Sequence, residues 1–321
     1  MTAVAPRRVA GPVPLSAVPL AELNALFSDA FSERYRRDGM VGVRVPPLHP
    51  RIWAFAFEAA GDGAMAWRDE AGALAAFNLA HVSGREGWMG PLAVREDLQG
   101  QGIGGRIVAA AVRHLRTAGC SIIGLETMPR TMDNIGFYAR RGFLPGRVTV
   151  TVTLAAMTGD GPPARLGQRS AAARADALAA CTALLDRLRP GADYAREIAA
   201  TLAHGIGDCL LFEDAAGRLE GFALYHDVPL VEGRALEEIR VLKVALADRR
   251  QVPRLAAAVA AQARASGALR GALRVQGEYG ETFAALVGAG ARVRWTDLRM
   301  HLAGCEEPVA GAGLVLSNWE I

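Results

Sequence analysis

The sequence has a single lysine, only four cysteines and no apolar run of transmembrane length. Its net charge of +3 over 321 residues is too small to indicate a nucleic-acid partner. Because the cysteines lack the spacing of a metal site or a disulfide framework, we expect buried thiols and no metal. No long apolar segment follows the first arginines, which predicts a protein without a signal peptide and without a membrane partner, located in the cytoplasm.

The composition is typical of an ordinary globular enzyme. Every basic residue other than Lys243 is arginine, and alanine and glycine are abundant. We interpret this pattern as a genomic bias of a bacterial type and not as a phosphate-binding signal. A chain of 321 residues predicts about two domains.

A glycine-rich run lies between an apolar strand and an amphipathic helix. Four glycines fall within residues 99–105, after a predicted strand that ends at Val94. The helix that follows has apolar residues on one face from Ile103 to Leu115. Glycines let several backbone N–H groups point into one concavity, and the positive end of the helix dipole adds to that field. The run therefore predicts a phosphate or pyrophosphate site.

Two kinds of phosphate ligand fit these glycines. Gly100, Gly102 and Gly105 satisfy the dinucleotide-binding pattern, and Glu126 ends an apolar strand about 20 residues later, where a ribose-binding acid is expected. In a dinucleotide fold the first glycine turns directly off the strand, whereas residues 95–99 intervene here. The preceding region also predicts hairpins, with turns at residues 69–72 and 83–87. This context disfavours a dinucleotide.

The same run resembles the acyl-CoA pyrophosphate loop of the GNAT-type N-acetyltransferases, with Gln99, Gly102 and Gly104 in the family's spacing. Residues 134–143 resemble the family's later helix and its Phe-Tyr-x-x-x-Gly-Phe ending. The resemblance extends over roughly residues 7–155. One departure is Thr131, which stands where the family often has asparagine, while Asn134 falls at a usual alanine position.

This resemblance implies acetyl-CoA, or another acyl-CoA, as co-substrate and no metal. The backbone of residues 92–94 is expected to bind the pantetheine arm as an added strand, and the glycine loop is expected to hold the pyrophosphate. The residues assigned to the cofactor are Leu92, Ala93, Val94, Gln99, Gly100, Gln101, Gly102, Ile103, Gly104, Gly105, Arg106, Asn134 and Phe137. For Arg106, an exposed surface position is an equal alternative.

The implied chemistry is direct attack of a neutral amine on a thioester. It requires proximity, a route for the amine proton, stabilisation of the oxyanion and a proton for the leaving thiolate. Tyr138 matches the family tyrosine that protonates the thiolate. A phenol suits that role because its pKa of about 10 exceeds that of a thiol. A backbone N–H of residues 92–94 is expected to serve the oxyanion.

The general base has several candidates. Glu86 lies two residues before Trp88, the position at which some relatives carry a catalytic glutamate, and its alternative is a solvated turn carboxylate. Glu126 ends the adjacent strand and has pairing with Arg130 as its alternative. His81 is a third candidate, although a lone strand-end histidine is more often structural. Many relatives use water chains in place of a base.

The acceptor pocket is expected at the early helices and the domain junction. Tyr35, Trp53, His81 and Trp88 are assigned to it, with core packing as the alternative for Trp53. The predicted acceptor is a primary amine of a small molecule or peptide. The chain is expected to be a monomer or homodimer.

The second half of the chain repeats the predicted element order of the first. Gly119 and Gly267 follow equivalent helices, but residues 248–253 replace the glycine run, and Leu286 stands nearest the register of Tyr138. We predict an α/β (α+β) protein of two tandem GNAT-like domains, each with a mixed, mostly antiparallel sheet flanked by helices. Residues 1–157 form the catalytic acyl-CoA-binding domain. Residues 158–321 form a degenerate domain with a structural or substrate-shaping role, in which residues 313–319 add a strand to a sheet edge of unspecified domain.

Three functions remain open at this point. The first is an acyl-CoA-dependent N-acyltransferase, the second a CoA-binding sensor or scaffold without turnover, and the third a nucleotide-dependent oxidoreductase. Tyr138 beside an intact loop favours the first over the second. The spacing between Val94 and Gly100 disfavours the third.

Overall fold

The computed structural model describes residues 8–157 and 164–319, and it contains the same series of nine elements twice, with one further strand before the first series and one after the second. The first half comprises β1 (Val9–Pro14), α1 (Leu20–Arg37), α2 (Pro50–Ala60), β2 (Ala64–Asp69), β3 (Leu74–Ser83), β4 (Glu86–Val94), α3 (Ile103–Thr117), β5 (Ile122–Thr127), α4 (Met132–Ala139) and β6 (Phe143–Ala155). The second comprises α5 (Ala171–Leu188), α6 (Ala195–Ala203), β7 (Gly207–Glu213), β8 (Leu219–His226), β9 (Glu238–Leu246), α7 (Val252–Ala265), β10 (Arg270–Gln276), α8 (Gly280–Gly288), β11 (Arg292–Leu302) and β12 (Leu314–Ser317). Residues 158–163, which follow the predicted domain boundary, lie outside the described residues.

Local signals account for the ends of the equivalent helices. Gly119 and Gly267 follow α3 and α7 in the left-handed region, with φ of +82° and +75°. Pro253 stands in the first turn of α7, where its missing N–H costs no intrahelical hydrogen bond. The two halves are therefore built from the same kind of sequence signals.

The two halves share one twelve-stranded sheet. Its order is β1-β2-β3-β4-β5-β11-β6-β10-β9-β8-β7, with β12 beside β9. β11 of the second half lies antiparallel between β5 and β6 of the first, and β6 in turn pairs with β10. The halves thus exchange strands, because β6 and β11 each pair with a strand of the other half. The predicted domain boundary after residue 157 divides the chain, but strands from both sides of it form one sheet.

Helices cover both faces of the sheet. In the first half, α1 and α2 bury a cluster around Trp53 and Phe77 on one face, while α3 buries Ile107 and Val108 on the other. Trp53 is fully buried, and its Nε1 donates to Asn24 Oδ1 at 2.8 Å. Its position is therefore in the core and not in a pocket wall. Among the described residues, no helix has both the length and the apolar surface required to cross a bilayer.

Each half contains a pair of parallel strands that separates partway along its length. β4 pairs with β5 only over residues 86–89, and β9 pairs with β10 only over residues 238–240. In the second half β12 pairs with residues 243–246 of β9 beyond that point. In the first half the end of β4 instead borders a cavity.

Candidate active site

A cavity of about 770 Å³ lies where β4 leaves β5. The end of β4, the glycine loop, α1 and α4 surround it. Its lining includes Phe31, Arg34, Arg37, Leu92, Ala93, Val94, Leu98, Gln99, Gly100, Gly102, Ile103, Gly104, Gly105, Asn134, Phe137, Tyr138, Arg140 and Arg141. The cavity therefore brings together Tyr138 and every residue assigned to the cofactor except Gln101 and Arg106.

The four glycines of the loop serve two different purposes. Gly100 and Gly102 have φ of +77° and +80°, a backbone conformation that favours glycine. Gly104 and Gly105 instead permit close packing against α4. A Cβ at Gly104 would lie 3.1 Å from Phe137 Cζ, and one at Gly105 would lie 2.6 Å from Arg141 Nη2. The first pair shapes the loop, Gly104 lets the Phe137 ring of α4 approach α3, and Gly105 leaves room for the Arg141 guanidinium.

A helix N-terminus and charged side chains of both signs lie beside the glycine loop. Gly102 is the N-cap of α3, whose first N–H groups have no partner within the helix, and the helix dipole places positive charge there. The Arg141 guanidinium lies 3.7 Å from the centre of the Phe137 ring and donates to the Phe137 carbonyl at 2.6 Å. Arg37 donates to Gln99 Oε1 at 3.3 Å but is also paired with Glu33 at 2.7 Å and Glu96 at 3.3 Å. Such a site suits a pyrophosphate.

The sequence assignments missed four arginines of this cavity, namely Arg34, Arg37, Arg140 and Arg141. The last two stand at variable positions of the Phe-Tyr-x-x-x-Gly-Phe ending, and the first two lie in the basic last turn of α1. Two features of the sequence could have identified these arginines. They are the basic end of the first predicted helix and the basic pair Arg140–Arg141 before Gly142.

The side chains of Gln99 and Gln101 stabilise the loop, whereas the side chain of Arg106 points away from the cavity. Gln99 Nε2 donates to the Val94 carbonyl at 3.0 Å, and Gln101 Nε2 donates to the Asp97 carbonyl at 3.1 Å. Arg106 donates to the Val9 carbonyl at 3.0 Å, so its side chain lies against β1 and away from the cavity lining.

Tyr138 is half-buried in the cavity wall. Its ring packs edge-on against Phe137 and Phe143, with centroid separations of 5.0 and 6.1 Å. Burial raises the pKa of Tyr138 to about 12, because the charged phenolate is poorly solvated there. The phenol therefore keeps its proton at neutral pH and is available as a donor.

Glu86 lies in the buried interface between the halves. Its carboxylate accepts hydrogen bonds from Arg189 Nη1 at 2.7 Å and from the Tyr194 hydroxyl at 2.9 Å, both in the second half. Arg189 also pairs with Glu307. The alternative interpretation of Glu86 as a solvated turn carboxylate is therefore wrong, because Glu86 is fully buried. It does not line the cavity at Tyr138.

Glu126 has a similar environment. It accepts from Arg299 at 3.1 Å and from the Thr149 hydroxyl at 2.6 Å, and it lies 3.0 Å from Arg274. Burial alone would raise the pKa of Glu126, but Arg274 and Arg299 together lower it below its ordinary value. These arginines, and not Arg130, are its partners. Glu126 is also outside the cavity lining.

The other residues assigned to the acceptor pocket lie at junctions of the two halves. Tyr35 packs against Trp295 with ring centroids 6.3 Å apart. Trp88 is fully buried and stacks on Trp319 at 5.4 Å. His81 is buried 6.3 Å from the same Trp319 ring. None of the three belongs to the lining of the 770 Å³ cavity.

The equivalent place in the second half is occupied by the chain itself. Asp248 Oδ1 accepts from the Arg250 N–H at 2.8 Å. Arg249 donates to the carbonyls of Ala310 at 2.7 Å and Gly313 at 2.9 Å. These contacts hold the segment that enters β12. Among the residues that the structure describes, no group of three or more His, Cys, Asp or Glu side chains is placed to hold a metal ion.

Comparison with known proteins agrees with this geometry. Residues 22–143 match the model of the Acetyltransferase (GNAT) family. A GCN5-related N-acetyltransferase from Sphaerobacter thermophilus is similar in structure, with 14% identity, coverage of 96% of this chain and 99% of that chain, and a TM-score of 0.60. A tandem GNAT protein from the clavulanic acid biosynthesis pathway has 11% identity, coverage of 92% and 98%, and a TM-score of 0.58.

Saccharomyces cerevisiae N-myristoyltransferase, solved with bound myristoyl-CoA and inhibitors, has 9% identity to this chain. The similarity covers 98% of this chain and 86% of that one, with a TM-score of 0.63. No curated protein matches the sequence significantly.

The fold is that of tandem GNAT-like proteins, the architecture that the sequence predicted. Residues 22–143 are similar to the GNAT acetyltransferase family, which confirms the resemblance noted at residues 99–105 and 134–143.

Proposed function

We propose that this chain transfers an acetyl or short acyl group from acyl-CoA to a primary amine of a small molecule or peptide. The observation that carries the proposal is the 770 Å³ cavity, which combines the glycine loop, the free end of β4 and the Tyr138 hydroxyl. Each of these three features matches one need of the reaction. The glycine loop offers a place for the pyrophosphate, the free end of β4 offers an edge for the pantetheine, and the Tyr138 hydroxyl offers a proton for the thiolate.

The cofactor would bind along β4 and the loop. The pantetheine arm would take the edge of residues 92–94, which β5 does not pair beyond Met89. The pyrophosphate would accept from N–H groups at the start of α3, with Arg141 adding positive charge. With the cofactor in this position, the thioester would lie where β4 first borders the cavity, near Leu92.

The reaction would proceed by direct attack. The neutral amine attacks the thioester carbon, a β4 backbone N–H stabilises the oxyanion, and the C–S bond then breaks. The Tyr138 hydroxyl protonates the CoA thiolate as it leaves. Glu86 and Glu126 are both paired with arginines, and we assign them a structural role. Water would therefore receive the amine proton.

We further propose that the chain binds one acyl-CoA. In the second half β12 pairs with residues 243–246 of β9, which correspond to the β4 edge assigned to the pantetheine. Asp248 also accepts from the loop N–H of Arg250, where the first half offers its N–H groups to a ligand. The degenerate half would thus be closed by the chain itself.

Thiol release from acetyl-CoA in the presence of a panel of primary amines tests the proposal. The full-length protein should release CoA only with an acceptor, and mass spectrometry should find the acylated amine. Tight acyl-CoA binding without release for any amine would favour the sensor or scaffold. Binding of a nicotinamide dinucleotide in place of acyl-CoA would favour the oxidoreductase.

A further inference from the structure

The helix that carries Tyr138 is short and lies mostly at the surface. α4 has eight residues, and none of them is fully buried. Its far end is packed, because the Phe137 ring lies against Gly104 of α3 and the Tyr138 ring lies against Phe143 of β6. Its first turn has little packing, since Met132 is 76% exposed. A helix of this length is marginal on its own in water, so its order depends on the contacts that hold its two ends.

Thr131 holds the beginning of α4 by an unusual use of its hydroxyl. It stands at the N-cap, where a threonine side chain ordinarily accepts from a helix N–H, but α4 has no such hydrogen bond. The buried hydroxyl donates instead to Asp38 Oδ2 at 2.6 Å. The Thr131 carbonyl accepts from the N–H groups of Asn134 and Ile135 at 3.0 and 3.2 Å, which start the helix. Thr131 therefore joins the start of α4 to a residue 93 positions earlier.

Asp38 is the C-terminal cap of α1 and is itself fixed. Its backbone N–H donates to the Arg34 carbonyl at 3.1 Å, and its carboxylate accepts from the Arg34 guanidinium. Only 3% of the Asp38 side chain is exposed. Burial alone would raise the pKa of Asp38, but hydrogen bonds from Arg34 and Thr131 lower it below its ordinary value. Asp38 is therefore ionised at neutral pH and can only accept, so the Thr131 hydroxyl is the donor.

Arg34 adds a second link between the same two helices. It lines the acyl-CoA cavity, and its Nη1 lies 3.9 Å from Asp133 in the first turn of α4. The Asp133 carboxylate is 90% exposed, so this ion pair contributes little. The buried threonine–aspartate hydrogen bond is therefore the stronger tie between α1 and the start of α4.

We propose that Asp38 and Thr131 are positioning residues for acyl transfer, which act by fixing the helix that presents the Tyr138 hydroxyl. The inference rests on the proposed function, since it assumes that Tyr138 protonates the leaving thiolate. We call the hydrogen bond between Asp38 and Thr131 the clamp. It joins two helices that both line the cavity. Without the clamp α4 would fray from its first turn, and a displacement of a reacting group by about 1 Å can lower turnover by up to about a hundredfold.

Hydrogen exchange tests the clamp without any reaction. Thr131→Val keeps the shape of the side chain and removes the hydroxyl, so the amides of residues 132–139 should exchange about tenfold faster than in wild type. Thr131→Ser keeps the donor and should protect α4 as wild type does. Thr282→Val is a matched control, because Thr282 is similarly buried in α8, the equivalent helix, and its hydroxyl has no partner among the described residues. Unchanged exchange of α4 in Thr131→Val overturns the inference.

Turnover tests whether the clamp acts through Tyr138. Thr131→Val should lower kcat by about tenfold, whereas Thr131→Ser and Thr282→Val should keep the wild-type value. In a Tyr138→Phe background Thr131→Val should cause no further loss, because the proton donor that the clamp positions is already absent. Acyl-CoA affinity, measured by calorimetry, should be unchanged in all of these variants, because the clamp does not contact the glycine loop or β4.

Asp38→Ala removes the same hydrogen bond from its other side. Its loss of kcat should not add to that of Thr131→Val in the double variant. Normal turnover by Thr131→Val, or losses that multiply when Thr131→Val is combined with Tyr138→Phe, would overturn the positioning role. Wild-type protein that transfers no acyl group to any amine, with α4 protected by the clamp as expected, would instead overturn the proposed function and with it this role.

Discussion

At the scale of single residues, the decisive difference lies between Tyr138 and the two glutamates. All three are carboxyl or hydroxyl groups in buried surroundings, but only Tyr138 reaches the cavity. Glu86 and Glu126 are paired with arginines of the other half, 103 and 173 positions away in sequence. A chain with 35 arginines offers many such partners, so sequence could not distinguish a catalytic carboxylate from a paired one.

Tyr138→Phe tests the acid role directly. Loss of the proton donor should lower kcat by about a hundredfold, the usual contribution of a general acid, while acyl-CoA affinity stays unchanged. Wild-type kcat should show no fall near pH 10, because burial raises the pKa of Tyr138 to about 12. Steady-state kinetics across pH, with calorimetry for affinity, checks both. Wild-type-like kcat in Tyr138→Phe would remove Tyr138 from the mechanism.

Glu126→Gln tests the structural role of the buried carboxylates. The pKa of Glu126 is lowered from 4.5 in the folded protein, so its ion pairs contribute stability above that value and lose it as the pH falls toward the folded pKa. The variant should be less stable than wild type at pH 7, by a few kcal/mol, with a smaller loss on acidification. Urea unfolding at several pH values measures this. Equal stability profiles would refute the pairing.

At the scale of elements, the glycine loop was readable from sequence and the docking of β12 was not. Gly102 and Tyr138 belong to local motifs that fix a turn and a helix face. β12 begins at Leu314 and pairs with β9, which ends 68 positions earlier at Leu246. Strand pattern predicts that a strand exists but not its partner, since every edge offers the same N–H and C=O groups.

Gly102→Ala tests the loop geometry. A Cβ at φ of +80° costs about 1 kcal/mol, so the loop should relax and acyl-CoA Kd should rise about fivefold. Gly267→Ala is a matched control, since Gly267 has φ of +75° and open space around its Cβ position but lies after α7. Calorimetry should find its affinity unchanged. Equal Kd values for the two variants would contradict the proposed role of the loop.

At the scale of the whole molecule, the strand exchange is the feature that the sequence did not reveal. The tandem repeat was visible because each half repeats the same elements, and this prediction is confirmed. Two separate sheets were the simplest expectation, yet β11 lies between β5 and β6. The arginines at 189, 274 and 299 then meet Glu86 and Glu126 across the same junction.

The exchange predicts that neither half folds alone. Residues 1–157 would expose both edges of β6 and one edge of β5, with Glu86 and Glu126 buried without their arginines. The fragment alone should show no cooperative thermal unfolding. Co-expression with residues 158–321 should restore it, together with acyl-CoA binding. A cooperatively folded 1–157 fragment that binds acetyl-CoA would contradict this expectation.

The central claim is that one acyl-CoA binds per chain, in the cavity of the first half. Calorimetric titration of the full-length protein with acetyl-CoA tests it most directly. The account predicts a stoichiometry of one, with affinity weakened by Gly102→Ala. Two bound molecules per chain, no binding, or a single site whose affinity Gly102→Ala leaves unchanged would contradict it.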